Sequence, residues 1–157
     1  MREVEVVGVR VEMPTNQPLV LLRETEGTRY LPIWIGAVEA SAIAYAQEGA
    51  ETPRPLTHEL MQQVVVALGD ELEEVRILDV RDGVFYASLI FASGAEVEAR
   101  PSDSIALALR AGARIVCTED VLDEAGIQST REEDEEVERF REFLEEVAPD
   151  DFVQPGE

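Results

Sequence analysis

The run Glu98-Ala99-Arg100-Pro101-Ser102-Asp103-Ser104-Ile105-Ala106-Leu107-Ala108-Leu109-Arg110 constrains the fold of this chain more than any other segment. It must change from strand to helix within a single step. Proline cannot donate to a ladder and is pre-set for a first helical turn, so the strand stops at Pro101. Ser102 is available as the N-cap, and Asp103 and Ser104 fill the first turn. Ile105, Leu107, Ala108 and Leu109 follow, apolar nearly all round, which predicts a helix buried in the core. One carboxylate, two hydroxyls and a guanidinium are thereby gathered at the rim of that core, where free helix N–H groups suit anions. By itself the segment reads as a well-capped core helix; a site needs other residues to meet it.

A second segment is built the same way. Tyr30-Leu31-Pro32-Ile33-Trp34-Ile35-Gly36 is a short apolar strand closed by glycine. It runs into the Ala-rich helix Ala37-Val38-Glu39-Ala40-Ser41-Ala42-Ile43-Ala44-Tyr45-Ala46, with Glu39 in its first turn. Upstream, Val4, Val6, Val9, Val11 and Met13 alternate with a change of parity at Val7-Gly8, which predicts a bulged strand. Strands at 19–22 and 30–35 complete a three-stranded meander. After a loop, a third polar helix start appears at Arg54-Pro55-Leu56-Thr57-His58-Glu59-Leu60. Its helix carries the stripe Leu60, Met61, Val64, Val65 and Leu68 before Gly69 stops it.

Strands at 75–80, 84–91 and 96–99 lead into the helix at Ser102, the first two joined by a hairpin turn at Arg81-Asp82-Gly83. Gly112 ends that helix, and a short strand at 115–117 and a short helix at 119–125 follow. Strand-strand-strand-helix thus occurs twice, which suggests an internal duplication. The predicted fold class is α+β: a mixed, largely antiparallel sheet with packed helices. The domain spans 1–128; 129–157 reads as an acidic linker and a C-terminal amphipathic helix with Val137, Phe140, Phe143, Leu144 and Val147 on its apolar side. That stripe and the helix from Ala37 offer more apolar surface than one small sheet covers, which predicts a homo-oligomer.

At 157 residues there is room for one real core and not for two. No apolar run approaches the length of a membrane span. The N-terminus has no basic flank and apolar stretch of the signal-peptide kind, so a cytoplasmic location is the default expectation. Cys117 is alone in the apolar run Ile115-Val116-Cys117 and reads as buried and inert. Charge is the awkward property. The net charge is −21 and all 13 basic residues are arginine. From Arg131 onward there are 12 acidic and 3 basic residues, so −12 still belongs to the domain. Nucleic-acid affinity rests on neutralising phosphates, so a partner of that kind demands a local Arg cluster, bound divalent cations, or both.

Four blocks, in order, resemble the bifunctional nuclease domain family, bacterial and plant proteins described as acting on both DNA and RNA. They are Leu31-Pro32-Ile33-Trp34-Ile35-Gly36 with Glu39, then Arg54-Pro55-Leu56-Thr57-His58, then Phe85-Tyr86-Ala87, then Arg100-Pro101-Ser102-Asp103-Ser104. The resemblance covers about residues 1–128 and leaves the acidic tail outside. It implies a nuclease that hydrolyses DNA or RNA with a divalent metal, Mg2+ or Mn2+. Asp103 and Glu39 would hold the metal and His58 would activate water. Arg54 and Arg100 would bind phosphate, with Ser102 and Ser104 orienting the substrate.

Each of these residues has a plainer reading. His58 is the sole histidine; in a first helical turn it can accept a proton from water, bind a metal, or simply bond the backbone. Asp103 can be a dipole-complementing residue bonded to Ser102 or Arg100. Arg100 and Arg54 can be structural partners of Asp103 and Glu39. Trp34 and Tyr86 lie in apolar strands and read most simply as core, with base stacking the alternative. The chain has no paired-His metal motif, no recognised carboxylate triad, no Gly-rich phosphate loop and no lysine. Two functions stay open: the nuclease, and a non-enzymatic binding or regulatory module holding a small anion or a partner peptide at its polar helix starts. Both require Glu39, His58 and Asp103 to meet in space.

Overall fold

The computed structural model describes residues 1–128 and Arg139; apart from that arginine, the predicted acidic helix lies outside the described residues. The elements run β1 (Arg2–Glu12), β2 (Gln17–Glu24), β3 (Arg29–Trp34), α1 (Ala37–Glu48), α2 (Thr57–Ala67), β4 (Leu72–Arg81), β5 (Val84–Phe91), β6 (Glu96–Ala99), α3 (Pro101–Ala111), β7 (Arg114–Cys117), α4 (Glu119–Ala125) and β8 (Ile127–Gln128). One eight-stranded sheet has the order β6-β5-β4-β7-β1-β2-β3-β8. Two antiparallel meanders meet at β7, which pairs antiparallel with β1 and parallel with β4. The fold is α+β, as the patterning predicts. The order β-β-β-α does occur twice, in β1–α1 and in β4–α3 with α2 between them; that recurrence is architectural and does not by itself make a duplication.

The β1 register slips between Val6 and Gly8, at the predicted parity change. The slip lets Val4, Val6 and Val9 share one core although their spacing is uneven. Val20, Leu22, Leu31 and Ile33 join them from β2 and β3, with Ile43 from α1 and Ile105 from α3, in one cluster. Val7, Leu19, Leu21 and Tyr30 form a smaller cluster, as alternation along β2 demands: odd positions face one way and even positions the other. Ile105 and Ala106 are fully buried, which bears out the reading of α3 as a core helix. Cys117 is fully buried too, and burial pushes its thiol up to about 12, so no thiolate is present at neutral pH. Among the described residues, no helix is long and apolar enough to cross a membrane.

Three local features depart from the patterning or go beyond it. Ser102 is not the N-cap of α3: the cap is Arg100, extended at φ −68° and ψ 144°, with Pro101 as the first helical residue. Proline's fixed φ and missing N–H make it the better first residue, which moves the start upstream of Ser102. Second, the regular stripe of α2 does not enter the core. No residue of α2 is buried, and Leu60, Met61, Val64 and Leu68 are all exposed; helical periodicity reports a one-sided helix, not what covers that side. Third, Trp34 is not a core residue. It stands 55% exposed at the last position of β3.

Candidate active site

Two strand-to-helix corners make the site. After β3, Ile35 N–H still donates to Pro18 O at 3.1 Å, and the chain then leaves the sheet through Gly36, which caps α1. A side chain at Gly36 would collide with the carboxylate of Glu39, which folds back over the start of its own helix. The second corner, from β6 through Arg100 into α3, lies against the first because α1 and α3 pack together. Both helix starts line one cleft of about 410 Å³, with Trp34, Glu39, Val84, Phe85, Arg100 and Ser102 in its walls. Val84 and Phe85 enter from the start of β5, just past the hairpin turn where Asp82 and Gly83 take positive φ.

The polar groups form a line. Arg100 Nη1 lies 3.7 Å from Glu39 Oε1. Arg100 Nε donates to Asp103 Oδ2 at 2.9 Å, and Asp103 Oδ1 lies 2.9 Å from His58 Nε2. Residues from α1, α2 and the β6–α3 corner are thus linked, as the convergence requirement demanded. Burial pushes the Asp103 carboxyl up, but hydrogen bonds from His58 and Arg100 outweigh it and hold it below the ordinary carboxylate range. An ionised Asp103 can only accept, so Nε2 carries the proton of this hydrogen bond. Arg100, 66% exposed, is held charged by its hydrogen bond to Asp103 and by the charges of Asp103 and Glu39.

Not every candidate joins this line. Glu39, Arg100 and Ser102 line the cleft, whereas His58 and Asp103 do not. Arg54 lies exposed in the loop before α2; its carbonyl accepts from Thr52 Oγ1. Ser104 is fully buried, and its Oγ donates to Arg100 O at 2.8 Å, a bond that anchors the cap. Trp34 is the residue that sequence reasoning left out of the site. The signal was there: Leu31 and Ile33 are core positions, so strict alternation puts Trp34 on the other face at a strand end.

The donor set does not fit a divalent metal as it stands. Both oxygens of Asp103 are engaged, by His58 and by Arg100, and the guanidinium lies between the two carboxylates that would be ligands. Among the described residues, no group of three His, Cys, Asp or Glu side chains is placed to hold an ion. Magnesium and manganese sites are built from several oxygen ligands.

The chain belongs to the bifunctional nuclease domain family, whose model matches residues 20–130. Two relatives from Mycobacterium tuberculosis are similar over nearly the whole length. They are the uncharacterized protein MT1877 of strain CDC 1551 / Oshkosh and the uncharacterized protein Rv1829 of strain ATCC 25618 / H37Rv. Each is 56% identical over 161 residues, covering 97% of this chain and 98% of the relative.

Proposed function

We propose that this protein hydrolyses phosphodiester bonds of nucleic acid at the cleft between the starts of α1 and α3. Family membership supports a nuclease-like activity. The observation that carries the site is the linked set Glu39, Arg100, Asp103 and His58 beside an open cleft. Phosphodiester hydrolysis needs a cation for the phosphate charge and a base for the attacking water. Arg100 supplies the cation, pre-oriented by its bond to Asp103, so little side-chain entropy is lost on engaging a phosphate. Glu39 lines the cleft and is the base candidate nearest that phosphate. His58 acts through Asp103: it holds the carboxylate that holds the guanidinium. Ser102, at the cleft wall, can orient substrate through its hydroxyl.

The test is cleavage of plasmid DNA and single-stranded RNA with Mg2+, with Mn2+ and with chelator, comparing wild type, Asp103→Ala and His58→Ala. The proposal expects both variants to lose most of the activity; equal cleavage by all three would reveal a contaminant. A non-enzymatic anion- or peptide-binding module is the second reading, favoured by the net charge of −21. Thermal-shift screening against nucleotides and organic anions selects it if small anions stabilise the protein and no turnover accompanies them. The exposed stripe of α2 supports a homo-oligomer, which sedimentation equilibrium tests. A cytoplasmic location is part of the same reading.

A further inference from the structure

Trp34 is a large aromatic ring, more than half exposed, in the wall of the cleft that also holds the exposed guanidinium of Arg100. Val84 and Phe85 add apolar surface from the start of β5. An apolar, aromatic wall with one cation at its edge matches the two halves of a nucleotide: a flat base and an anionic phosphate. The cleft volume of about 410 Å³ falls in the ordinary range for a small-molecule site. A base inside a duplex cannot use such a wall, because both of its faces are already stacked on neighbouring pairs.

Charge points the same way. Duplex DNA presents about one negative charge per 1.7 Å of axis, and binding it takes many phosphate contacts. This chain carries 34 acidic residues against 13 arginines, and among the described residues the cleft presents one arginine, itself shared with Glu39 and Asp103. Such a surface repels a long duplex far more than it repels a few nucleotides.

We infer that the cleft takes an unpaired base against Trp34 with its phosphate at Arg100, so that the substrate is a short single strand and not a duplex. The inference rests on the nuclease reading for the chemistry but not for the binding. Stacking on Trp34 supplies affinity where charge cannot, and Arg100 sets the phosphate beside Glu39.

Trp34 is the sole tryptophan, so the emission of the full chain reports this wall directly. The experiment titrates the protein with a single-stranded pentanucleotide and, separately, with a short blunt duplex. The same samples are run on a denaturing gel for cleavage. The expected result is saturable quenching by the single strand and none by the duplex. Trp34→Ala should bind a fluorescein-labelled pentanucleotide roughly 5- to 150-fold more weakly, the span that loss of one base–aromatic stack produces. Trp34→Phe should recover part of that loss. Unchanged emission together with wild-type affinity in Trp34→Ala would overturn the inference, and cleavage on the gel would then leave the nuclease reading standing. Quenching and Trp34-dependent binding without cleavage would support the inference and remove the nuclease reading. Emission that changes with protein concentration alone would place a second copy of the chain on this wall and overturn it.

Discussion

The two ends of β3 carry the same chemistry put to opposite uses. At its start, the Glu24 carboxylate, 3% exposed, receives Arg29 at 2.8 Å and Arg2 at 3.2 Å. Arg29 reaches on to Glu119 and Asp123, at 2.8 Å each. That cluster ties β1, β2 and β3 to α4, its arginine is only 16% exposed, and a side chain at Gly27 would strike the Glu24 carboxylate. At the far end, Arg100 is 66% exposed, holds Asp103 and Glu39, and faces a cleft with an aromatic wall. An arginine–carboxylate cluster therefore says nothing about function by its composition. What separates the two is where the central arginine stands: Arg29, 16% exposed, spends its donors on three carboxylates, whereas Arg100 stands in the wall of the aromatic cleft.

The largest contrast should appear in stability. Glu24→Ala removes the buried carboxylate that ties Arg29 to Arg2 and leaves Arg29 with Glu119 and Asp123; losing charge-assisted hydrogen bonds of this kind costs about 1.5–3 kcal/mol. Urea unfolding should show that loss while the cleavage rate per folded molecule stays at the wild-type level; a normal midpoint would mean the cluster is not a clamp. Asp103→Asn should invert the pattern. Its cleavage rate should drop about 100-fold, the lower range for losing a positioned charge-stabilising donor, with a stability cost of about 1 kcal/mol.

Acid should separate the ends again. Hydrogen bonds from Arg29, with burial opposing, hold the Glu24 carboxyl at about 2, against an ordinary 4.5. A depressed folded value means that its stabilisation is complete above pH 4.5 and is lost as pH falls from there toward 2. Glu24→Gln should flatten the dependence of the thermal midpoint on pH across that window. An unchanged slope would assign acid lability to other carboxylates. The smallest effect belongs to Ser104→Ala, which removes one buried bond to the Arg100 carbonyl. It should cost about 1 kcal/mol in urea unfolding and leave cleavage unaltered. A large loss of cleavage would make Ser104 part of the site.

Much of this contrast was readable before the fold was known. The strand-to-helix corners at Gly36 and Pro101 announce themselves through glycine, proline and the switch of apolar period. Their convergence does not, because it depends on α1 packing against α3 across a sheet whose order is set at β7. The Glu24 cluster was invisible for the same reason: its partners lie as far apart in the chain as Arg2 and Asp123. Trp34 was misjudged because apolar composition outweighed strand parity. Exposure of the α2 stripe could not be read at all, since an amphipathic pattern is the same whether its apolar side meets a core or a second chain. Arg54 matched a family block, yet it stands apart from the linked set.

Arg100→Gln tests the central claim most directly, because among the described residues Arg100 alone touches both carboxylates and the cleft. The initial rate on a labelled single-stranded RNA should fall at least about 100-fold, as for loss of a charge-stabilising donor, with the thermal midpoint within a few degrees of wild type. A variant that cleaves at the wild-type rate would show that the phosphate is bound elsewhere, and the corner between α1 and α3 would then be a structural joint.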